Sequence, residues 1–128
     1  MRREQFSTTR CGELVVLRCR DELDIASAPR LHAAVARAEA VAPEVVLVDL
    51  REVTFLDSAG FHALDDAVRR LERLGAWCGF ADPESDGVRR ALDLCDLAGD
   101  LRRWPTVADA LRASDARGPT LAATRVGD

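Results

Sequence analysis

Apolar positions recur along the chain in two rhythms, alternation or short unbroken runs for strands and a three-to-four-residue repeat for helices. Glu4 to Arg10 reads as an edge strand. Cys11-Gly12 supplies a turn, and Leu14-Val15-Val16-Leu17 with Cys19 makes a second strand, so the chain opens as a hairpin. The pattern breaks at Asp21-Glu22-Leu23-Asp24. Ser27 and Pro29 then mark a helix start, after which Leu31, Val35, Ala38 and Val41 repeat at helical spacing until Pro43. Val45 to Leu50 is apolar nearly throughout, as expected of a central strand covered on both faces.

From Ser58 to Leu74 the apolar residues Phe61, Leu64, Val68 and Leu71 form one stripe. Asp65 with Arg69 and Asp66 with Arg70 are i,i+4 pairs, and Gly75 supplies the stop. Trp77 to Ala81 reads as another strand, Asp82-Pro83 as a turn, and Val88, Leu92 and Cys95 as a further amphipathic helix. A short strand is expected around Leu101 to Trp104. Thr106 with Asp109 then resembles a capping box opening a last helix through about Ala113. The remainder, 114–128, is Ala, Arg, Gly, Pro and Thr without a period and is expected to be disordered.

Strands alternating with helices imply parallel pairing through right-handed crossovers. The expected fold is α/β: a mixed sheet of four to five strands, with an antiparallel hairpin strand at the N-terminus, the rest mainly parallel, and about four helices. Loops that follow parallel strands emerge at one sheet edge. That gathers Asp21 to Asp24, Arg51 to Ser58 and Asp82 to Asp86 there, with Asp24, Asp49 and Asp57 as an acidic rim.

Composition narrows the function. The net charge of −4 argues against binding nucleic acid or acidic lipid by charge. No apolar run approaches the roughly 20 residues of a membrane span, and Met1 to Phe6 lacks the core of a signal peptide, so a cytoplasmic location is expected. All eighteen basic residues are Arg, dispersed over several elements as codon bias would leave them. Cys11, Cys19, Cys78 and Cys95 form no C-x-x-C pair; they are expected to be buried, reduced thiols, and neither metal nor cofactor is implied.

The chemistry concentrates at Thr54-Phe55-Leu56-Asp57-Ser58-Ala59-Gly60, where a strand and loop run into a helix start. Ser58 reads as the helix cap. The first N–H groups of a helix lack intrahelical partners and sit at the positive end of the peptide dipoles, so a phosphoryl group there would be favoured. It would bring about −1.5 to −2 charges beside the acidic rim, and a partner docked on that edge would be repelled. Ser58, His62, Asp65 and Arg69 form a second helix stripe expected to face the partner. Singly, each residue is also explained as local capping; a plain cap serine contributes about 1 kcal/mol. A hydrolase using Ser58 with His62 or His32 is disfavoured, since no G-x-S-x-G elbow is present.

These residues resemble the STAS domain family, shared by anti-sigma factor antagonists and the cytoplasmic parts of sulfate transporters. Phe55-Leu56-Asp57-Ser58-Ala59-Gly60-Phe61-His62-Ala63-Leu64 is similar to the family's D-S-[STA]-G-L-x-x-L signature. Glu22-Leu23-Asp24-Ile25-Ala26-Ser27-Ala28-Pro29 is similar to its G-E-L-D-x-x-T-A-P segment, and Val46 to Leu50 to its central strand. The resemblance runs from about residue 4 to 113, giving an expected STAS domain at 1–113 and a tail at 114–128. It implies a non-enzymatic anti-sigma factor antagonist whose unmodified form binds an anti-sigma factor serine kinase, releasing the sigma factor. Phosphorylation of Ser58 would end that binding and a serine phosphatase would restore it. By the same resemblance Asp24 would lie at the interface beside Ser58 and Asp57 would shape the loop; taken with the helix stripe, the expected partner site is Asp24, Asp57, Ser58, Ala59, Gly60, His62 and Asp65, on a monomer or weak dimer. The alternative is an unphosphorylated STAS module of a transporter or lipid-trafficking assembly. Two departures stand out: Phe61 replaces the usual Leu, and Asp21 replaces a Gly, where a positive φ would be unfavourable for a residue with a side chain.

Overall fold

In the computed structural model, which describes residues 4–117, the chain starts as a hairpin. Its strands β1 (Phe6–Cys11) and β2 (Leu14–Leu23) pair antiparallel around a turn at Gly12. Then follow α1 (Ala28–Ala40), β3 (Val45–Leu56), α2 (Ser58–Arg73), β4 (Trp77–Ala81), α3 (Asp86–Cys95), β5 (Arg103–Trp104) and α4 (Val107–Asp115). The five strands lie in sequential order, and every pair after the first is parallel. This is the expected α/β architecture.

Strand periodicity splits the core between the two faces of the sheet. Val15, Leu17 and Cys19 of β2 with Val46, Val48 and Leu50 of β3 pack against Leu31 and Val35 of α1, Leu64, Val68 and Leu71 of α2, and Val88 and Leu92 of α3. The other face holds Val45 and Leu47 beside Trp77 and Trp104, covered by Val107 and Ala110 of α4. Helices on both faces explain why Val45 to Leu50, apolar except for Asp49, is buried throughout.

β1 runs over Phe6–Cys11 rather than Glu4 to Arg10 and β5 is only Arg103–Trp104, and three further boundaries differ from the sequence expectation. β2 does not break at Asp21 but continues to Leu23, and β3 runs on to Leu56 through what reads as a loop. β3 spends twelve residues opposite the ten of β2, and the two extra are absorbed by register shifts at Arg18/Arg20 and Asp21/Glu22. The inward residues therefore go Val46, Val48, Leu50, Val53, Leu56, with a spacing of two that becomes three at each bulge. Alternation fails there although the strand does not. Asp21, at the second bulge, takes φ +62, so the position does require the left-handed backbone that glycine accepts most readily. At the other end, α4 extends two residues beyond Ala113, with Ser114 buried and Arg117 paired to Glu44 at 3.3 Å. The rest of the expected tail, 118–128, lies outside the described residues.

Side-chain expectations are also corrected. The second i,i+4 pair on α2 does not form as expected: Arg70 reaches across to Glu39 of α1 at 2.6 Å, while Asp65 and Arg69 pair as expected at 2.9 Å. Cys19 and Cys78 are buried, but Cys11 is exposed at the end of β1 and Cys95 is only half-buried. Burial, with help from Glu72, pushes the Cys78 thiol up to about 12, so it stays protonated.

One close approach fixes how α2 meets the sheet. A Cβ added at Gly60 would lie 2.0 Å from the carbonyl oxygen of Leu23 and 2.9 Å from the backbone nitrogen of Asp24. Both obstacles are backbone, which cannot rotate aside. Gly60→Ala should therefore cost about 3 kcal/mol, the upper end of overpacking penalties. Urea unfolding would show it as a lower midpoint, and an unchanged midpoint would mean that α2 can slide off the end of β2.

Candidate functional site

The site is assembled by β2 and β3 ending side by side, Leu23 opposite Leu56. Beyond Leu23 the chain turns through Asp24–Ser27. The Asp24 carboxylate oxygen Oδ1 accepts from the Ser27 backbone N–H at 2.9 Å, and the Asp24 N–H donates to Ser27 Oγ at 3.0 Å. Ser27 Oγ donates in turn to the Asp24 carbonyl at 3.2 Å. This reciprocal turn leads into α1, whose first bonds run from Arg30 and Leu31 N–H to the Ser27 carbonyl. Ile25, at its tip, is 78 % exposed.

Beyond Leu56, Asp57 is extended (φ −115, ψ −179) and its Oδ1 accepts from Gly60 N–H at 2.8 Å. The N-cap of α2 is therefore Asp57 rather than Ser58, which corrects the sequence expectation. An ionised carboxylate makes the stronger bond at a helix N-terminus and offsets its dipole, so it takes the cap when both are available. Ser58 becomes the first residue inside the helix, and it is exposed. Phe61 N–H donates to the Asp57 carbonyl at 2.9 Å and Gly60 N–H to its side chain, while helix geometry leaves the N–H groups of Ser58 and Ala59 without intrahelical acceptors.

The Asp24 turn and the start of α2 are brought together. Asp57 N–H donates to the Leu23 carbonyl at 3.4 Å, and Gly60 lies against Leu23 and Asp24. Asp24, Asp57, Ser58, Ala59 and Gly60 thus share one edge. His62 is exposed one turn on, its ring set edge-on to Phe61 at 6.1 Å, and Asp65 is half-buried beside Arg69. The turn after β4 sits farther back, where Glu84 N–H donates to the Arg51 carbonyl at 3.1 Å.

Asp49 does not belong to this rim. It lies within β3, 1 % exposed, between Arg51 at 3.0 Å and Arg18 at 3.6 Å. Burial alone would raise its carboxyl, but bonds from the Arg51 side chain and N–H, with the charges of Arg51 and Arg18, hold it below the ordinary carboxylate range. Read as the end of a strand at Leu50, the sequence put this residue at an edge; the strand continues for six more residues. Among the described residues, no group of three His, Cys, Asp or Glu side chains is placed to hold a metal ion. No helix among them is long and apolar enough to cross a membrane.

A sequential mixed sheet, with an antiparallel hairpin strand and an aspartate-capped helix packed on the end of β2, defines the class: a STAS-type α/β module. The sequence matches the STAS domain family model over residues 5–110, and the chain belongs to that family. It is similar to the crystal structure of an anti-sigma factor antagonist from Mycobacterium paratuberculosis, with 27 % identity and a TM-score of 0.74 over 84 % of this chain and 91 % of that one. The anti-sigma factor antagonist SpoIIAA in its unphosphorylated form is similar at 21 % identity and TM-score 0.69, over 88 % and 98 % of the two chains. A sulfate transporter family protein from Wolinella succinogenes shares the fold at 20 % identity and TM-score 0.64, over 84 % and 89 %. No curated protein sequence matches the chain.

The enclosed Asp49 carries a pH signature. Its folded pKa is depressed, so the stability it contributes is complete above the unfolded value of about 3.9 and is lost as pH falls through the lower folded value. Asp49→Asn should cost about 2 kcal/mol at neutral pH, less than a fully enclosed pair because both guanidinium groups reach solvent. Urea unfolding as a function of pH should show the gap to wild type closing below about pH 4. A gap independent of pH would assign the loss to packing instead.

Proposed function

We propose that this chain is an anti-sigma factor antagonist, a binding switch rather than an enzyme, and that Ser58 is its phosphorylation site. The observation that carries this reading is an exposed hydroxyl on the first residue of α2, capped by Asp57 and held against the Asp24 turn. The likeness to an anti-sigma factor antagonist at 27 % identity supports the same class. The partner is an anti-sigma factor that is itself an ATP-using serine kinase. The γ-phosphoryl group of ATP passes to Ser58 Oγ, which loses its proton as ADP leaves. A serine phosphatase returns the hydroxyl by hydrolysis.

The electrostatics supply the switch. Unmodified, the edge offers a small hydroxyl among Asp24, Asp57, Ala59, Gly60, His62 and Asp65, and the kinase docks over it. Modified, it carries about two negative charges. The α2 N-terminus accommodates them through the N–H groups of Ser58 and Ala59, so the helix is retained. A partner surface closing over that charge would have to desolvate it without a matching cation, a loss typical of mismatched interface charges. The alternative, a STAS module of a transporter or lipid-trafficking assembly, uses the same fold without the modification.

The test is incubation with ATP and an anti-sigma factor serine kinase from the same genome. Mass spectrometry is expected to place one phosphate on Ser58. In titrations with that kinase, Ser58→Ala should bind as the unmodified protein does and Ser58→Asp at least about tenfold more weakly. Kinase binding that ignores both substitutions, with no phosphate on Ser58, would overturn the reading.

A further inference from the structure

The sheet ends on β1, which has β2 on one side and no strand on the other. Arg20 N–H donates to the Gln5 carbonyl at 2.9 Å, and β1 and β2 keep one antiparallel register from Phe6 opposite Cys19 to Cys11 opposite Leu14. Bonded and non-bonded pairs alternate along such a ladder. Gln5, Ser7, Thr9 and Cys11 therefore turn their N–H and C=O groups to β2, while Phe6, Thr8 and Arg10 turn theirs outward. Among the described residues these outward groups have no hydrogen-bond partner. Phe6 is buried, but Thr8 is half-buried and Arg10 exposed, so the edge from Thr8 to Arg10 is open to a further strand.

A groove of about 220 Å³ runs between this strand and α1, lined by Glu4, Gln5 and Phe6 on one side and Arg30, Ala33 and Arg37 on the other. One end of it is fixed by hydrogen bonds. The Gln5 side-chain oxygen accepts from Arg30 Nε at 3.2 Å and Nη2 at 2.7 Å, and the Gln5 amide donates to the Glu22 carbonyl at 2.6 Å. Arg30 is thus held in place by a neutral group, and its charge stays unmatched. Arg37, exposed two turns on, and Arg10, whose Nε donates to the Gly12 carbonyl at 3.2 Å, also have no carboxylate partner among the described residues. On a chain of net charge −4, two arginines facing the single glutamate Glu4 make this groove locally basic.

We infer that the β1 edge and this groove together take an extended acidic peptide segment of a partner protein, which adds a strand beside β1 and sets its carboxylates against Arg30 and Arg37. The spacing defines the pattern. Side chains two apart on a strand share a face about 6.7 Å apart, and Arg30 and Arg37 are separated by about 10.5 Å along α1. Acids at positions i and i+4 of the added strand, about 13 Å apart, come within reach of the two guanidinium arms and leave i+2 to rest against Phe6 and Ala33. The segment read is acid-x-apolar-x-acid. Main-chain bonds to Thr8 and Arg10 supply affinity, and the guanidinium forks select carboxylates. A second copy of β1 in the same place would set the arginines of the two copies against one another, so an acidic strand is the better match. The site shares no residue with the Ser58 edge and goes beyond that reading.

The probe is a capped seven-residue peptide, threonine throughout except for glutamate at its second and sixth positions and valine at its fourth, titrated into the full-length chain and followed by backbone amide NMR. Saturable shifts are expected at Thr8 and Arg10, with a Kd below about 1 mM. Arg30→Gln with Arg37→Gln should weaken binding at least about tenfold, and so should lysine in place of both peptide glutamates. Arg90→Gln is the control: it lies on α3, with α2 between it and α1, and should stay within about twofold. Urea midpoints report whether each variant folds, and Arg37→Gln alone carries the charge test if the double variant is destabilised. The proposal is overturned by the absence of saturable shifts at Thr8 and Arg10, or by a lysine peptide that binds as well as the glutamate one. Shifts at those two amides on concentrating the chain without peptide would give the edge to a second copy and overturn it as well.

Discussion

The backbone of Leu23 and Asp24 meeting Gly60 is the contact on which the rest of the site depends. It is a contact of main chain on main chain, with no side chain between to yield. The Leu23 carbonyl accepts from Asp57 N–H at 3.4 Å while α2 leaves the sheet one turn later directly over it. Two segments more than thirty residues apart thereby become one surface. The small residue at position 60 is thus explained by the space it must leave, and the acidic turn is brought to the helix start by the same contact.

Three aspartates, each directly after a large apolar residue, meet three different fates. Asp24 has its Oδ1 engaged in a tight reciprocal turn with Ser27. Asp57 caps a helix. Asp49 is enclosed in the sheet and compensated by two arginines. A buried carboxylate needs its charge matched and its lone pairs occupied, and Arg51 does both with a side-chain pair and a backbone N–H at 3.1 Å. Arg18 adds charge only: its Nε lies 3.6 Å from Asp49 Oδ2, beyond hydrogen-bond length, and is otherwise unpartnered.

What was legible in the sequence was whatever obeyed a single period. The α2 stripe of Leu64, Val68 and Leu71 is buried as its spacing requires, and Thr106 caps α4 through Asp109 N–H. The strand over Trp77 to Ala81 lies where its apolar run put it. What failed to show were features in which one residue's role is settled by a distant neighbour. Bulges in β3 hide the strand because the inward spacing changes from two to three. Arg70 has an acceptable partner four residues before it but finds Glu39 on α1. The edge grouping of Asp24, Asp57 and Ser58 was legible because it follows from parallel topology alone; excluding Asp49 required knowing where β3 ends.

The identity of the cap bears directly on how a switch at this edge can work. Were Ser58 the N-cap, its oxygen would hold an N–H of the first turn, and altering it would cost about 1 kcal/mol of helix stability. Modification would then partly unravel the element that presents it. With Asp57 in that role, the Ser58 oxygen holds nothing up. The helix end is secured by a carboxylate, by the Asp57 carbonyl and by the packing of Gly60, and all three are independent of the hydroxyl. A charge added at Ser58 is therefore available to a docking partner as a change of surface on a rigid frame, with no part of its free energy spent on reshaping the protein that carries it.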